Sequence, residues 1–125
     1  MEDLIIHGDS TNPTVVFKKD GELKFEGRAL PENAIKFFEP LKAWAAKIDV
    51  KEIKIQFNLD YFNTSVSKQL LNLFHDFENN PQIEKIHMNW MYEDGDDEML
   101  ESGEIYEEIL KKFTFTYQKY AEIIE

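Results

Sequence analysis

The residues best suited to carry chemistry are Asp60-Tyr61-Phe62-Asn63-Thr64-Ser65. They join an alternating apolar stretch to the clearest amphipathic helix of the chain. Asn63, Thr64 and Ser65 are all types that accept a hydrogen bond from the free N–H groups of a helix start. Two readings follow. Asn63 or Thr64 caps the helix and does nothing else, or the segment is a loop at the carboxyl end of a strand, where open α/β sheets commonly hold ligands. No Glu or Gln follows Thr64 by three residues, so a reciprocal capping box is absent.

Other chemistries find little support. The five glycines are scattered and form neither a phosphate-cradling loop nor a dinucleotide fingerprint. No Gly-x-Ser-x-Gly elbow occurs. His7, His75 and His87 lie far apart, none in a metal-binding repeat with a second histidine. The acidic run Glu93-Asp94-Gly95-Asp96-Asp97-Glu98 suggests calcium, but a loop starting at Asp94 has Met99 at its sixth position and Ile105 at its twelfth. Glycine and a bidentate acid are needed there. Acids at that place instead complement the positive end of a following helix. The 25 acidic residues contain no pair whose spacing singles it out for acid–base work. The chain is therefore expected to have no catalytic residue, no metal and no cofactor.

Periodicity supplies the elements that position these residues. Thr14–Phe17 and Leu23–Gly27 alternate around Asp20-Gly21, a tight-turn pair, and predict a hairpin. Ala34, Phe37, Phe38, Leu41, Trp44, Ala45 and Ile48 recur at helical spacing, with Pro40 expected to divide a short helix from a longer one. Ile53, Ile55, Phe57 and Leu59 alternate with polar residues as a strand over 53–59. Val66, Leu70, Leu73, Phe74 and Phe77 mark a helix ended by Asn79-Asn80-Pro81. Ile86, Met88, Trp90 and Tyr92 give a strand over 85–92, and Met99, Tyr106, Ile109 and Leu110 a third helix. Phe113, Phe115 and Tyr117 predict a last strand, with Tyr117, Tyr120, Ala121 and Ile124 forming a terminal helix.

The order ββαβαβαβα predicts one α/β domain over residues 1–125 with a mixed sheet of about five strands. An antiparallel N-terminal hairpin leads into βαβαβ crossovers. Strands 53–59 and 85–92 carry polar residues at alternate positions, whereas a sheet covered on both faces would be apolar throughout. Helices are thus expected mainly on one face, leaving Gln56, Asn58, His87 and Asn89 on the other. Phe37, Leu41, Ile55, Phe57, Leu70, Phe74, Met88 and Trp90 are the predicted core.

Composition narrows the partners. The 125 residues hold 42% hydrophobic and 14% aromatic side chains, enough for a packed core, and no cysteine. A net charge of −11 opposes nucleic-acid phosphates and anionic membranes. No segment approaches the roughly 20 apolar residues of a membrane helix, and the start Met1-Glu2-Asp3 is acidic where a signal peptide is basic. A cytoplasmic location is expected.

Three blocks resemble a known family. Tyr61-Phe62-Asn63-Thr64-Ser65 with Ser67-Lys68 resembles the central signature of SiaC-type regulatory phosphoproteins. Pro31-Glu32-Asn33 with Phe37-Phe38, Pro40 and Trp44 resembles a second block, and Asn89-Trp90, Tyr92 and Asp96–Glu101 a third. The resemblance implies a STAS-like α/β domain that is not an enzyme. It implies a partner switch in which a serine/threonine kinase phosphorylates Thr64, a PP2C-type phosphatase reverses this, and the unmodified form activates a diguanylate cyclase. Asn63, Ser65, Lys68, Glu32 and Asn33 are then the expected partner-binding residues. Two positions depart from the family pattern: Ala29-Leu30 stands where Ser-Tyr is more usual, and Val66 where a further serine is common. Two alternatives use other classes of function: an anti-anti-sigma factor working by the same switch, and a small-molecule-binding or enzymatic domain using the polar sheet face.

Overall fold

The computed structural model describes residues 1–121. Its strands are β1 (Leu4–Ile6), β2 (Thr14–Phe17), β3 (Glu22–Ala29), β4 (Glu52–Phe62), β5 (Lys85–Glu93) and β6 (Phe113–Tyr120). Its helices are α1 (Ala34–Lys47), α2 (Thr64–Asn79) and α3 (Asp97–Ile109). The six strands form one mixed sheet in the order β1-β2-β3-β4-β5-β6. β1, β2 and β3 pair antiparallel, and β3 to β6 pair parallel. The α/β mixed-sheet expectation holds, with one more strand than the five expected. The added strand, β1, has three residues, too few to show a period in the sequence.

Consecutive parallel strands joined by crossovers of the usual right hand place every helix on the same face. The buried side chains accordingly form one cluster between that face and the helices. Phe57 stacks on Trp90 at 4.1 Å between ring centroids, at the centre of the sheet. Phe74 of α2 reaches Phe57 at 6.3 Å and Tyr106 of α3 at 5.5 Å. On the opposite face Lys24, Gln56, Asn89 and Thr116 stand in one cross-strand row. Gln56, Asn58, His87 and Asn89 lie on this uncovered face, as their alternation predicts.

Four local expectations need correction. α1 runs unbroken through Pro40. Lys36 and Pro40 are both exposed, so the carbonyl that Pro40 cannot serve lies on the solvent side. Phe38, Leu41, Trp44 and Ala45 keep the helix buried on both sides of the proline. Phe37 is only half-buried, and its neighbour Phe38 takes the core position. The remaining predicted core residues are buried. β4 continues to Phe62, past Leu59, and Tyr117 to Tyr120 belong to β6 in place of a terminal helix. Ile124 lies outside the described residues.

Helix ends are satisfied by specific side chains. The Asn80 amide is buried and donates to the carbonyls of Ala45 (3.0 Å) and Ile48 (2.8 Å), which close α1. Trp90 donates from Nε1 to the Met99 carbonyl at 2.9 Å and so ties α3 to β5. Gly103 permits that approach, since a Cβ there would meet the Trp90 ring at 2.8 Å.

Two substitutions test this packing. Gly103→Ala would gain about 0.5–1 kcal/mol of helix propensity. Overpacking against the fully buried Trp90 costs about 1–3 kcal/mol, so the net effect in urea unfolding should be destabilising. Unchanged or increased stability would show that α3 is free to move away. Phe74→Ala should cost about 3–5 kcal/mol, and a loss under about 1 kcal/mol would contradict its burial.

Candidate functional site

β3, β4 and β5 all end on the same side of the sheet, and each is followed there by a helix start. Each start carries a short polar cap. Asn33 accepts from the Lys36 N–H (3.1 Å), Asn63 from Val66 (3.0 Å) and Asp96 from Met99 (3.1 Å). The carboxyl edge of the sheet thus gathers three positive helix ends. The 8–13 loop joins them through the Leu30 N–H, which donates to the Thr11 carbonyl at 2.7 Å. Within that loop the Asp9 carboxylate accepts from the Thr11 and Asn12 N–H groups, which lower its pKa to about 2.

Thr64 is the first residue of α2, and its side chain is exposed. Asn63 is the cap, which decides between the two candidates that the sequence left open. The connection from strand to helix is Asn63 alone, not a loop over residues 60–65. The reason is a register shift. Gly27 pairs with Leu59 but Arg28 pairs with Tyr61, leaving Asp60 as the extra residue. Beyond this bulge the sense of alternation is inverted. Tyr61 points outward, where the Arg28 guanidinium lies 5.8 Å from its ring. Phe62 turns inward, 6.2 Å from Phe57 and 6.5 Å from Trp90. Its packing against the core holds the chain immediately before Thr64.

The other sequence-predicted residues fall into two groups. Asn63, Ser65 and Lys68 share the first turns of α2 with Thr64, and Lys68 is one turn further along the same stripe. Ser65 and Lys68 are exposed, whereas Asn63 is half-buried as the cap. Glu32 and Asn33 belong to the neighbouring crossover. Ala29 pairs with Phe62, so both segments leave the sheet side by side. Glu32 and Asn33 are exposed, and Asn33 is engaged as the cap of α1.

The surroundings are acidic. The Tyr120 hydroxyl is pushed up by burial and then by the charges of Glu93, Asp60 and Asp96, which gather at this edge. Asp97 and Glu98 occupy the first turn of α3, as expected for acids near a helix start. Gly95 turns the chain with φ 91°, and Asp96 N–H closes the turn on the Glu93 carbonyl at 2.9 Å. Among the described residues no group of three or more His, Cys, Asp or Glu side chains is placed to hold a metal ion. No helix of the described residues is long and apolar enough to cross a membrane.

Sequence reasoning missed an apolar groove of about 290 Å³ between α2 and α3, lined on α2 from Ser67 onward. Leu71, Ile105 and Ile109 line it, with Phe62 and Tyr106 at its base. Ile109, expected on one stripe of α3 with Met99, Tyr106 and Leu110, is exposed where those three are buried, and it stands four residues from Ile105, off that stripe. The uncovered sheet face bears a wider depression of about 560 Å³ with Lys54, Gln56, His87 and Asn89. Three of its polar side chains pair with near neighbours: Lys24 with Glu26 (2.8 Å), His87 with Glu52 (3.0 Å) and Asn89 with Gln118 (2.8 Å).

The division of labour between Asn63 and Thr64 is measurable. Asn63→Ala should lose about 1 kcal/mol of unfolding free energy. Thr64→Ala should stay within about 0.5 kcal/mol of wild type, since an exposed side chain with no cap role is removed. Equal losses would place Thr64 in the cap.

Comparison with known proteins agrees with the fold. In the crystal structure of the diguanylate cyclase SiaD in complex with its activator SiaC from Pseudomonas aeruginosa, a similar chain superposes with a TM-score of 0.79 at 22% identity, over 94% of this chain and 100% of that one. Apo-SiaC from the same organism gives a TM-score of 0.75 at 23% identity, over 94% and 99%. No match is found among curated proteins. The model of the SiaC family regulatory phosphoproteins matches residues 6–120, and the chain belongs to that family.

Proposed function

We propose that this chain is a non-enzymatic, cytoplasmic signalling protein that binds and activates a diguanylate cyclase and is switched off by phosphorylation of Thr64. A serine/threonine kinase adds the phosphate and a PP2C-type phosphatase removes it. The observation that carries this reading is the exposure of Thr64 at the first position of α2, with the cap already supplied by Asn63. A kinase can then reach the hydroxyl without breaking a structural bond. Family membership and the likeness to an activator solved with its cyclase support the reading.

Magnitudes say what the phosphate would do. It adds about −1.5 to −2 charges near pH 7. At an exposed helix start, an anion is favoured by about 0.3–1 kcal/mol, and Lys68 lies one turn away. The domain therefore stays folded. At an interface, a charge buried without a partner costs about 2–5 kcal/mol, or more than tenfold in affinity. The interface term is the larger, so modification acts on binding. Asn63, Ser65, Lys68, Glu32 and Asn33 form the surface through which the partner senses it.

The test is a calorimetric titration of wild type, Thr64→Ala, Thr64→Glu and phosphorylated protein against the candidate cyclase. Wild type and Thr64→Ala should bind alike, Thr64→Glu more weakly, and the phosphorylated form at least tenfold more weakly. Equal affinity across all four would remove the switch, and phosphate incorporation into Thr64→Ala would move the acceptor elsewhere.

A further inference from the structure

The groove between α2 and α3 has no structural task that explains its exposed aliphatic side chains. α1 packs along α2, whereas α3 packs on β5 and β6. A gap remains, bridged by the Tyr106 hydroxyl, which donates to the Ser67 carbonyl at 2.9 Å. Burial raises the pKa of that hydroxyl, so it stays a neutral donor there. Over this bridge Ile105 is 57% exposed and Ile109 42%. They face Leu71 and the stem of Lys68 across the groove. Two large aliphatic side chains one turn apart in a helix otherwise rich in acids form a contiguous apolar strip, the kind of surface that marks a contact site.

Charge states what can cover it. Glu101 and Glu108 are exposed and stand four before and three after Ile105, on the same face of α3. Glu104 and Glu107 act on Tyr117 of β6, so they border the far side of the helix. The α3 rim of the groove is thus acidic. The α2 rim carries hydroxyls and Lys68. We infer that this groove docks a partner segment that presents aliphatic side chains on one face and Lys or Arg along the flank facing α3. The inference rests on the Thr64 reading for its regulatory meaning, but not for its chemistry. Thr64, Lys68 and Leu71 share one stripe of α2, which puts Thr64 one turn before Lys68, the groove's lysine. A phosphate there would meet the apolar side of the incoming segment, away from the flank that seeks acids.

Two arms test it. In the first, the folded protein is titrated by NMR with a Leu/Lys amphipathic peptide and with its Leu/Glu counterpart. The Leu/Lys peptide should shift the amides of Leu71, Ser102, Ile105 and Ile109. Its affinity should fall about tenfold in Ile105→Ser and fall again with added salt. The Leu/Glu peptide should not bind, and Ile35→Ser, at an exposed isoleucine on α1, should change nothing. Shifts centred elsewhere, equal binding of both peptides, or full affinity in Ile105→Ser would overturn the groove. In the second arm, Ile105→Ser and Glu101→Gln are titrated against the candidate cyclase. Undiminished binding overturns the groove as the docking surface and leaves the Thr64 switch standing. A cyclase that ignores wild type, while the Leu/Lys peptide seats in the groove, overturns the cyclase reading and keeps the groove. Ile105 is exposed, so its variant should keep the wild-type melting temperature, and that measurement separates lost binding from lost fold.

Discussion

Four parallel strands in consecutive order constrain everything else in this chain. When β3, β4, β5 and β6 each follow the last through a crossover of the same hand, the helices have no choice of face. Nor have they a choice of direction: each must start at the carboxyl edge and run back towards the amino edge. One topological rule therefore produces the single core, the uncovered polar face and the gathering of three capped helix starts. A site at that edge inherits positive helix ends and short connections whatever its residues.

The bulge at Asp60 turns that general edge into a particular one. Without the extra residue, alternation from Phe57 and Leu59 would bring Tyr61 inward and send Phe62 to solvent. With it, Phe62 enters the aromatic cluster of Phe57 and Trp90, and the strand can feed α2 through Asn63 alone. A single-residue connection anchored by a partly buried ring packed on the core leaves Thr64 little positional freedom. The residue is exposed, yet its backbone is fixed by the core on one side and by the Asn63 cap on the other.

Much of this was legible in the sequence, and the misses share causes. The periods of 85–92 and of Val66–Phe77 reported β5 and α2 because each has one apolar face against one core. β1 was invisible because three residues cannot establish a period. The end of β4 was misplaced because a bulge inverts alternation, so a strand that continues looks like a strand that stops. Pro40 and Phe37 misled for a different reason: local rules were outweighed by the tertiary burial of Phe38, Leu41 and Trp44. Of the site, residue types at the α2 start left Asn63 and Thr64 both open as the cap, the family resemblance singled out Thr64, and only coordinates assign the cap to Asn63. The groove was hidden because Ile109 read as part of a helix's core stripe and Ile105 was not singled out, and exposure is not a property of spacing alone.

The chain's charge bears on how such a switch can have a large effect. With a net charge of −11, two more negative charges barely alter the long-range field, especially beyond a Debye length of about 8–10 Å at physiological salt. Steering of a distant partner should thus be nearly the same before and after phosphorylation. What changes is local. The acids Asp60, Glu93 and Asp96 gather around Tyr120 at the carboxyl edge, while Lys68 is the one lysine or arginine along Thr64's own stripe of α2. A phosphate would engage Lys68 in the free protein, and docking would have to strip water from both. The cost falls on the bound state alone, so the effect should appear in the dissociation rate far more than in the association rate. A strongly acidic protein can in this way carry a negatively charged switch whose action depends on where the charge sits and not on how much charge the molecule has.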